Sequence, residues 1–328
     1  DLDNTLTIED SSKDYSEKKL NSLVAKSIKN AKKLGYSSKI FSSRNMKTFQ
    51  DDLIKIEEVT RPIAQEWLKK NQIIYDELIL GKPWCGNNGW YLDDKNILIE
   101  EFIFKFSGPY WNYNMNIIVP FYNEEENIKN FHKEQKKIER LFNVSKYIYI
   151  DNGSLDNTLN ELNKIASIDE KIEVVAVKKN LGYGFGMKQG LSVVNSDIIL
   201  FNHADLQFDS YSFFLHNLSA LLSLKKPLNI MPQRYNRSKL DSISSLILRS
   251  ILSMIFFKKV FDFNGQPKLI FFKSIDDIRS LPDNFCFDLA IYNIFEKQSV
   301  FLPILQKERS KGESSWSKDF SKRFRIFL

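Results

Sequence analysis

The chain has 328 residues, 43% hydrophobic and 27% charged, which is enough apolar material for two cores and too little bias for a disordered chain. Its 47 Lys+Arg against 41 Asp+Glu give +6, spread without a basic helix or arginine-rich arm, which suits phosphates or an anionic membrane and excludes a nucleic-acid footprint. Cys85 and Cys286 are the only cysteines, which excludes a disulfide framework or cysteine zinc site and fits a reducing, cytoplasmic setting.

Asp1 to Thr7 reads as the loop after a strand, and the chain opens without a methionine, so its natural start is expected upstream. Ser16 to Leu34 is a predicted lysine-rich helix, Ser38 to Phe41 a strand, Ile63 to Asn71 a helix and Glu77 to Leu80 a strand. The turn-rich GKPWCGNNG follows, and Tyr91 to Ile99 is expected to hold another strand-to-loop junction. Turn formers and aromatics in SGPYWNYN, residues 107–114, mark a linker between domains at 1–108 and 114–328.

From Met115 the pattern restarts. Strands are predicted at Asn116 to Val119, Tyr147 to Ile150, Ile172 to Val177 and Ile198 to Phe201. Helices are predicted at Glu124 to Phe142 and Leu155 to Ile165, and after the glycine-rich turn at 180–190. Alternating strands and helices imply a parallel, doubly wound sheet whose ligands bind beyond the strand C-termini. Ser242 to Phe257 is too short for a membrane span and carries Arg249 in its middle. It reads equally as an amphipathic helix at a bilayer interface or as a core or dimer-contact helix.

Four motifs fall at successive strand ends of the second half. In VPFYNEEENI, Pro120 ends a strand and Asn123 caps a helix begun by Glu124 to Glu126, and a well-capped helix start explains these residues alone. In IYIDNGSLDNT, Asp151 reaches the sheet edge, where a carboxylate can accept hydrogen bonds from a nucleobase or ribose. In NLGYGFGMKQGL, Gly182 and its neighbours let the backbone approach a ligand, and Lys188 could meet a diphosphate. In ILFNHADLQFD, oxygens of Asp205 and Gln207 suit Mg2+ or Mn2+, with His203 a ligand, a neighbour of one, or an ordinary loop histidine.

Together these motifs resemble the family 2 glycosyltransferases of GT-A fold, most of all the polyprenol-phosphate sugar synthase branch, from about Met115 to Trp316. Pro120, Tyr122, Asn123, Glu124 and Asn127 match the opening P-x-Y-N-E-x-x-N. Asp151, Gly153, Ser154, Asp156 and Thr158 match D-D-G-S-x-D-x-T, with Asn152 replacing the second aspartate. Asn180, Gly182, Gly184 and Lys188 match the glycine-rich region. Ala204 to Gln207 match D-A-D-L-Q, with His203 in place of the first aspartate. Asp262, Gly265 and Lys268 resemble a segment behind the acceptor pocket, Asp288 a later acidic position, and Arg309, Gly312, Ser314 and Trp316 a terminal motif that closes over the diphosphate.

The resemblance implies an inverting transfer from a nucleotide-sugar donor bound by Pro120, Tyr122, Glu124, Asp151, Gly182, Lys188 and Arg309. A metal would be held at Asp205 and Gln207. Asp288 is the candidate base for an alcohol acceptor; a lipid-phosphate acceptor needs none. Arg234, Arg237, Lys258 and Lys259, flanking the 242–257 helix, would suit the lipid-phosphate case and a peripheral position on the inner membrane face.

In the first half, Asp1-Leu2-Asp3-Asn4-Thr5 gives two carboxylates two residues apart, one able to attack a phosphoryl group and the other to handle a proton. Ser42 and Lys82 could bind phosphate, and Asp93 and Asp94 a metal. With SSRNM and GKPWCGNNGWYLDDK, this order resembles the small capsule-biosynthesis phosphatases of the haloacid dehalogenase superfamily, over residues 1 to 104. The resemblance implies Asp1 as nucleophile and metal ligand, Asp3 as acid/base, and a Rossmannoid fold lacking its first strand. The leading expectation is a bifunctional enzyme of surface glycan assembly, with an oligomer open. The rivals are a phosphatase with a non-catalytic nucleotide-sugar-binding module, a nucleotidyltransferase, and a membrane-associated scaffold.

Overall fold

The computed structural model describes residues 1–10, 12–86, 91, 96–272 and 280–307. The chain divides into two compact units, Asp1–Trp111 and Asn112–Leu328.

In the first unit, helix α1 (Ser22–Lys33) starts where the Asn21 side chain accepts from Val24 N, later than the lysine pattern predicts. Strands β1 (Lys39–Ser42) and β2 (Glu77–Leu80) pair in parallel, joined through helix α2 (Arg61–Lys70). The strand expected within Tyr91 to Ile99 is not found among the described residues. Helix α3 (Ile99–Ser107) begins there instead. The apolar run reads like strand alternation, but Glu101 reaches back to Leu98 N at 2.7 Å, a helix-start bond. Asn30 and Ser27 of α1 then bond Phe106 O and the Ser107 hydroxyl at 2.7 and 2.8 Å.

The second unit is built on a seven-stranded sheet. Its strands are β3 (Asn114–Phe121), β4 (Asn143–Asp151), β5 (Ile172–Ala176), β6 (Ile198–Phe201), β7 (Asn229–Tyr235), β8 (Lys268–Phe271) and β9 (Ser299–Leu305), in the order β5-β4-β3-β6-β8-β7-β9. Strands β3 to β6 are parallel, as the alternation of strands and helices implies. The sheet as a whole is mixed, because β8 runs antiparallel to both β6 and β7. β8 is four residues long and the chain comes to it from an α-helix and a loop, so no periodicity betrays its direction. Pro120 does not end β3: it pairs with Ile150, while the β6 ladder stops at Ile118, so that side asks it for no amide donor.

The helices of the unit include α4 (Ile128–Lys136), α5 (Thr158–Ala166), α6 (Tyr183–Leu191), α7 (Ser210–His216), α8 (Lys239–Ile255) and α9 (Phe287–Phe295). One continuous core joins Ile118, Ile148 and Ile150 of the central strands to Met187 and Leu191 of α6 and to Phe287, Ile291 and Tyr292 of α9. A second layer of polar contacts ties α4 to the sheet. His132 meets the Tyr149 hydroxyl at 2.9 Å and Asp169 at 3.3 Å, and Lys136 reaches Asp169 at 2.8 Å. Burial pushes His132 down against the pull of Asp169, so the folded protein refuses a proton that the unfolded chain binds near pH ~6.5. For Asp169, burial pushes up, but the bond from Lys136 and the backbone donor of Lys171 outweigh it and hold the carboxyl low. Both shifts withdraw stability as the solution is acidified, His132 first. Thermal unfolding should show the native protein losing stability below pH ~6.5 and His132→Gln losing less over the same interval. Parallel curves for the two proteins would refute this.

Candidate functional site

The strands set the site by register. Phe121, Asp151 and Ala176 are paired in one row at the C-terminal ends of β3, β4 and β5, and Asn202, just past β6, donates its amide to Ile118 O at 3.0 Å. The loops that leave these strands therefore share one rim.

Two of those loops are laced together. Asn123 N donates to Ser154 Oγ at 3.1 Å, Leu155 N to Asn123 Oδ1 at 2.8 Å, Glu124 N to Thr158 Oγ1 at 2.9 Å and Asn157 N to Glu125 Oε2 at 3.0 Å. This is why α4 begins at Ile128 and not at Glu124: residues 123–125 spend their polar groups across the cleft. Glu124 is buried and accepts from Asn127 Nδ2, while Tyr122 stands exposed on the rim. Asp151 is 3% exposed, and its Oδ1 accepts from Ser154 N at 3.2 Å. Gly153 has φ +73, and a Cβ there would sit 2.5 Å from Asn180 N, so the turn that presents Asp151 admits only glycine.

The glycine-rich segment lies close against another stretch of backbone. A Cβ on Gly182 would lie 2.4 Å from Asp283 O, and one on Gly184 2.0 Å from Pro282 O. Phe185 N donates to Asp283 O at 2.9 Å. These glycines admit the backbone of residues 282–284. Lys188 belongs to the same arrangement, bonding Leu281 O at 3.0 Å and the Asp283 carboxylate at 2.6 Å. It is a clamp on that loop rather than a free cation at the rim.

In the fourth loop Leu206 sits at φ +58, a left-handed conformation that a branched side chain seldom takes, between Asp205 and Gln207. The turn is closed by Gln207 N donating to Asp205 Oδ1 at 3.2 Å and is held from outside by Lys307 N on Gln207 O at 3.0 Å. His203 Nε2 lies 3.3 Å from the Tyr183 hydroxyl. Among the described residues no three His, Cys, Asp or Glu side chains converge on one point. Asp205 and the Gln207 amide still fit a hard divalent ion whose other positions a diphosphate fills. Asp288 lies behind the rim, 6% exposed, accepting from Lys268 Nζ at 2.7 Å in the core. Sequence reading treats it as a base; the fold gives it a buried cation as partner. Arg309 and the terminal motif lie outside the described residues.

Further along the sheet, a cavity of about 120 Å3 opens between the end of β7 and α8, lined by Gln233, Arg234, Asn236, Arg237, Ser245 and Arg249 among others. Asp262 neutralises Arg234 through a bidentate pair at 2.6 and 2.8 Å. Arg237 reaches Ser245 Oγ at 2.6 Å, but its Nε and the Nε of Arg249 are buried without a hydrogen-bond partner. Burial and the adjacent Arg234 push the Arg237 guanidinium down to about 10, against the upward pull of Asp262 and Asp241; it remains charged at neutral pH. The sequence flags Arg234 and Arg237 by their position beside the amphipathic helix, whereas Arg249 reads there only as an interruption of an apolar run. Its four-residue helical spacing from Ser245 is the signal that puts it on the cavity face.

In the first unit Asp1 and Lys82 pair at 2.9 Å, and Ser42 is fully buried, its Oγ accepting from Arg44 N at 3.2 Å. The fold thus gathers Asp1, Ser42 and Lys82. Asp93 and Asp94 lie outside the described residues. Asp3 is taken by a residue to which the sequence assigns no role: Arg44, whose side chain is buried, binds it at 2.8 and 3.2 Å and stacks on Tyr15.

Residues 116–275 match the model for glycosyl transferase family 2. Among curated proteins, a Bacillus subtilis protein named as a glycosyltransferase, CsbB, is 23% identical over 62% of this chain and 62% of its own length. The undecaprenyl-phosphate 4-deoxy-4-formamido-L-arabinose transferase of Proteus mirabilis is 20% identical over 62% of this chain and 63% of its own. The chain thus spans somewhat under two thirds of the length of these relatives. Among solved structures, glucosyl-3-phosphoglycerate synthase from Mycobacterium tuberculosis, in complex with Mn2+ and UDP, is 17% identical over 68% of this chain and 79% of that one, with a TM-score of 0.48. An MCSG target from Vibrio cholerae is 40% identical over 31% of this chain and 82% of that one, with a TM-score of 0.30. The family match falls on the strands and loops that build the rim, and by it residues 116–275 form a glycosyltransferase family 2 domain.

Proposed function

We propose that the second unit moves a sugar from a nucleotide-sugar donor, bound at the rim of Asp151 and Asp205, to a lipid-phosphate acceptor at a membrane surface. The observation that supports the acceptor class is the arginine cavity, where Arg237 and Arg249 keep buried guanidinium nitrogens unbonded. A phosphate group supplies the anion and the acceptor oxygens that these donors lack. The P. mirabilis relative, whose name includes undecaprenyl phosphate, points the same way.

α8 carries the membrane side of the proposal. Leu240, Ile243, Ile247 and Met254 recur at helical spacing and are exposed, Leu240 at 76%, and Phe257 beyond its end is 96% exposed. Lys258 and Lys259 follow. Such a helix lies in an interface plane with the lysines toward anionic headgroups. No helix among the described residues is long and apolar enough to cross a membrane; the contact proposed for α8 is a peripheral one, on the inner face.

The reaction is a single displacement. An acceptor phosphate oxygen attacks the anomeric carbon and the bond from that carbon to the diphosphate breaks. The electron pair leaves with the nucleoside diphosphate, and the configuration inverts. The acceptor is already anionic, so no base is needed, which agrees with Asp288 lying buried. Asp151 and the exposed Tyr122 receive the nucleoside, while Asp205 and Gln207 would hold a Mg2+ or Mn2+ ion, which would supply positive charge to the leaving diphosphate. Arg249→Gln should raise the KM for polyprenyl phosphate about tenfold or more, while leaking hydrolysis of the nucleotide sugar stays unchanged. An unchanged KM would remove the arginine cavity from the acceptor site.

The first unit we read as the phosphatase half of a bifunctional protein, with Asp1 as nucleophile, Asp3 as proton carrier, and Ser42 and Lys82 on the phosphate. The convergence of Asp1, Ser42 and Lys82 supports this reading. Phosphate release from sugar phosphates should be abolished by Asp1→Asn; equal release from both proteins would end the assignment.

A further inference from the structure

The first unit holds Trp67, Phe104, Phe106 and Tyr110 in its interior, while four aromatic side chains among its described residues stand exposed: Tyr36, Phe41, Trp84 and Tyr91. Three of the four gather where the strands end. Phe41 precedes Ser42 at the end of β1, and Trp84 and Tyr91 follow β2. The loops after the two strands are tied together: Lys82 N donates to Ser42 O at 3.1 Å, and Lys47 Nζ lies 5.0 Å from the centre of the Trp84 ring. Lys82 Nζ, which pairs with Asp1 at 2.9 Å, lies 4.0 Å from the centre of the Tyr91 ring and 5.9 Å from that of Phe41. The Tyr91 hydroxyl donates to Pro83 O, which fixes its ring beside the lysine.

An aromatic ring left open to water forgoes the gain of burial, and three of them stand beside a lysine suited to phosphate. A phosphate held on Lys82 places its ester oxygen and the first carbons of its organic group beside Tyr91 and Phe41. The rings therefore meet the group that carries the ester, and not a base attached one sugar farther out. A pyranose suits such a surface. It packs an apolar face of C–H bonds flat on an aromatic ring, while its hydroxyls, at the edge, stay in water. We propose that Phe41, Trp84 and Tyr91 form a platform for the sugar ring of a hexose phosphate, and that this platform makes the first unit select cyclic phosphate monoesters over acyclic ones.

This inference rests on the phosphatase reading of the first unit given above and adds to it the residues that choose the substrate. Asp1, Ser42 and Lys82 meet only the phosphate, which every monoester carries, so they cannot discriminate. The platform can, because it touches the part in which monoesters differ. Binding energy gained there holds the ester at the nucleophile, so its loss shows in kcat/KM. Tyr91 also attracts the Lys82 ammonium through its ring, a contact that phenylalanine in its place retains.

The test is phosphate release by the full chain, with Mg2+ present, from hexose 6-phosphates and hexose 1-phosphates, from glycerol 3-phosphate and from uridine monophosphate. At least one hexose phosphate should be cleaved with a kcat/KM about tenfold or more above that of glycerol 3-phosphate. Tyr91→Ala and Trp84→Ala should each lower that preference by about fivefold or more, and Tyr91→Phe, which keeps the ring, should retain it. The ratio of two substrates is insensitive to a loss of folded protein, which lowers both rates alike. A native protein that does not prefer hexose phosphates, one that prefers uridine monophosphate, or a preference unchanged in both alanine variants would overturn the proposal and leave the phosphatase standing. Phosphate release from none of these compounds would overturn both.

Discussion

Asp205→Ala should lower sugar transfer by about 10²- to 10³-fold while the protein stays folded. The leaving group gathers negative charge as the anomeric bond breaks, and Asp205 is the described carboxylate of the loop best placed to hold a neutralising cation there. Its structural part is small. It is half-buried and closes one turn through a bond to Gln207 N at 3.2 Å, worth about 1 kcal/mol. Leu206 keeps its left-handed conformation because Lys307 holds the far side of the turn at Gln207 O. Activity and stability therefore separate in this variant, which a transfer assay alongside thermal unfolding would show. Full turnover would remove Asp205 from the mechanism.

Asp288→Ala should be the most destabilising single change in the second unit. It strands the Lys268 ammonium, fully buried in β8, without a counter-charge. Breaking one partner of a buried pair costs about 3–5 kcal/mol. For a unit of this size that lowers the melting temperature by on the order of 10 °C. Lys268→Met alone should cost a similar amount, because it leaves a buried carboxylate. The pair Lys268→Met with Asp288→Leu should regain most of the loss, since apolar packing of similar volume replaces a buried ion pair at little or no net cost. Scanning calorimetry of the three proteins distinguishes this from a simple packing defect, in which the double variant would be the worst.

Much of this fold is written in short-range pattern. The strands at Glu77–Leu80 and Ile198–Phe201 lie where their apolar runs predict, and the β3 to β6 alternation specifies parallel pairing. Non-local choices are harder to read. The direction of β8 depends on a partner strand far away in sequence, and the start of α4 depends on bonds from residues 123–125 to residues 154–158. The site shows the same division. That Asp151, Asp205 and Gln207 lie at or just past strand ends is legible, because the apolar run fixes where the strand stops. The neighbours of Lys188 and the glycines are not legible, because composition does not reveal their contacts with the backbone of residues 281–284. Lys268 and Tyr183 look like ordinary strand and helix residues until the fold sets them beside Asp288 and His203. Arg44 is hidden in the same way, its guanidinium buried against Asp3 across forty-one positions of chain.

The proposed transfer requires the rim at the ends of β3, β4 and β6 to be a nucleotide-sugar site. Calorimetric titration of the full chain with the common nucleoside diphosphates, with and without Mn2+, tests this most directly. One nucleotide should bind, more tightly with Mn2+ than without, with Asp151→Ala losing the nucleotide and Asp205→Ala losing the metal dependence. Binding that ignores both substitutions, or no binding of any nucleotide under either condition, would contradict it.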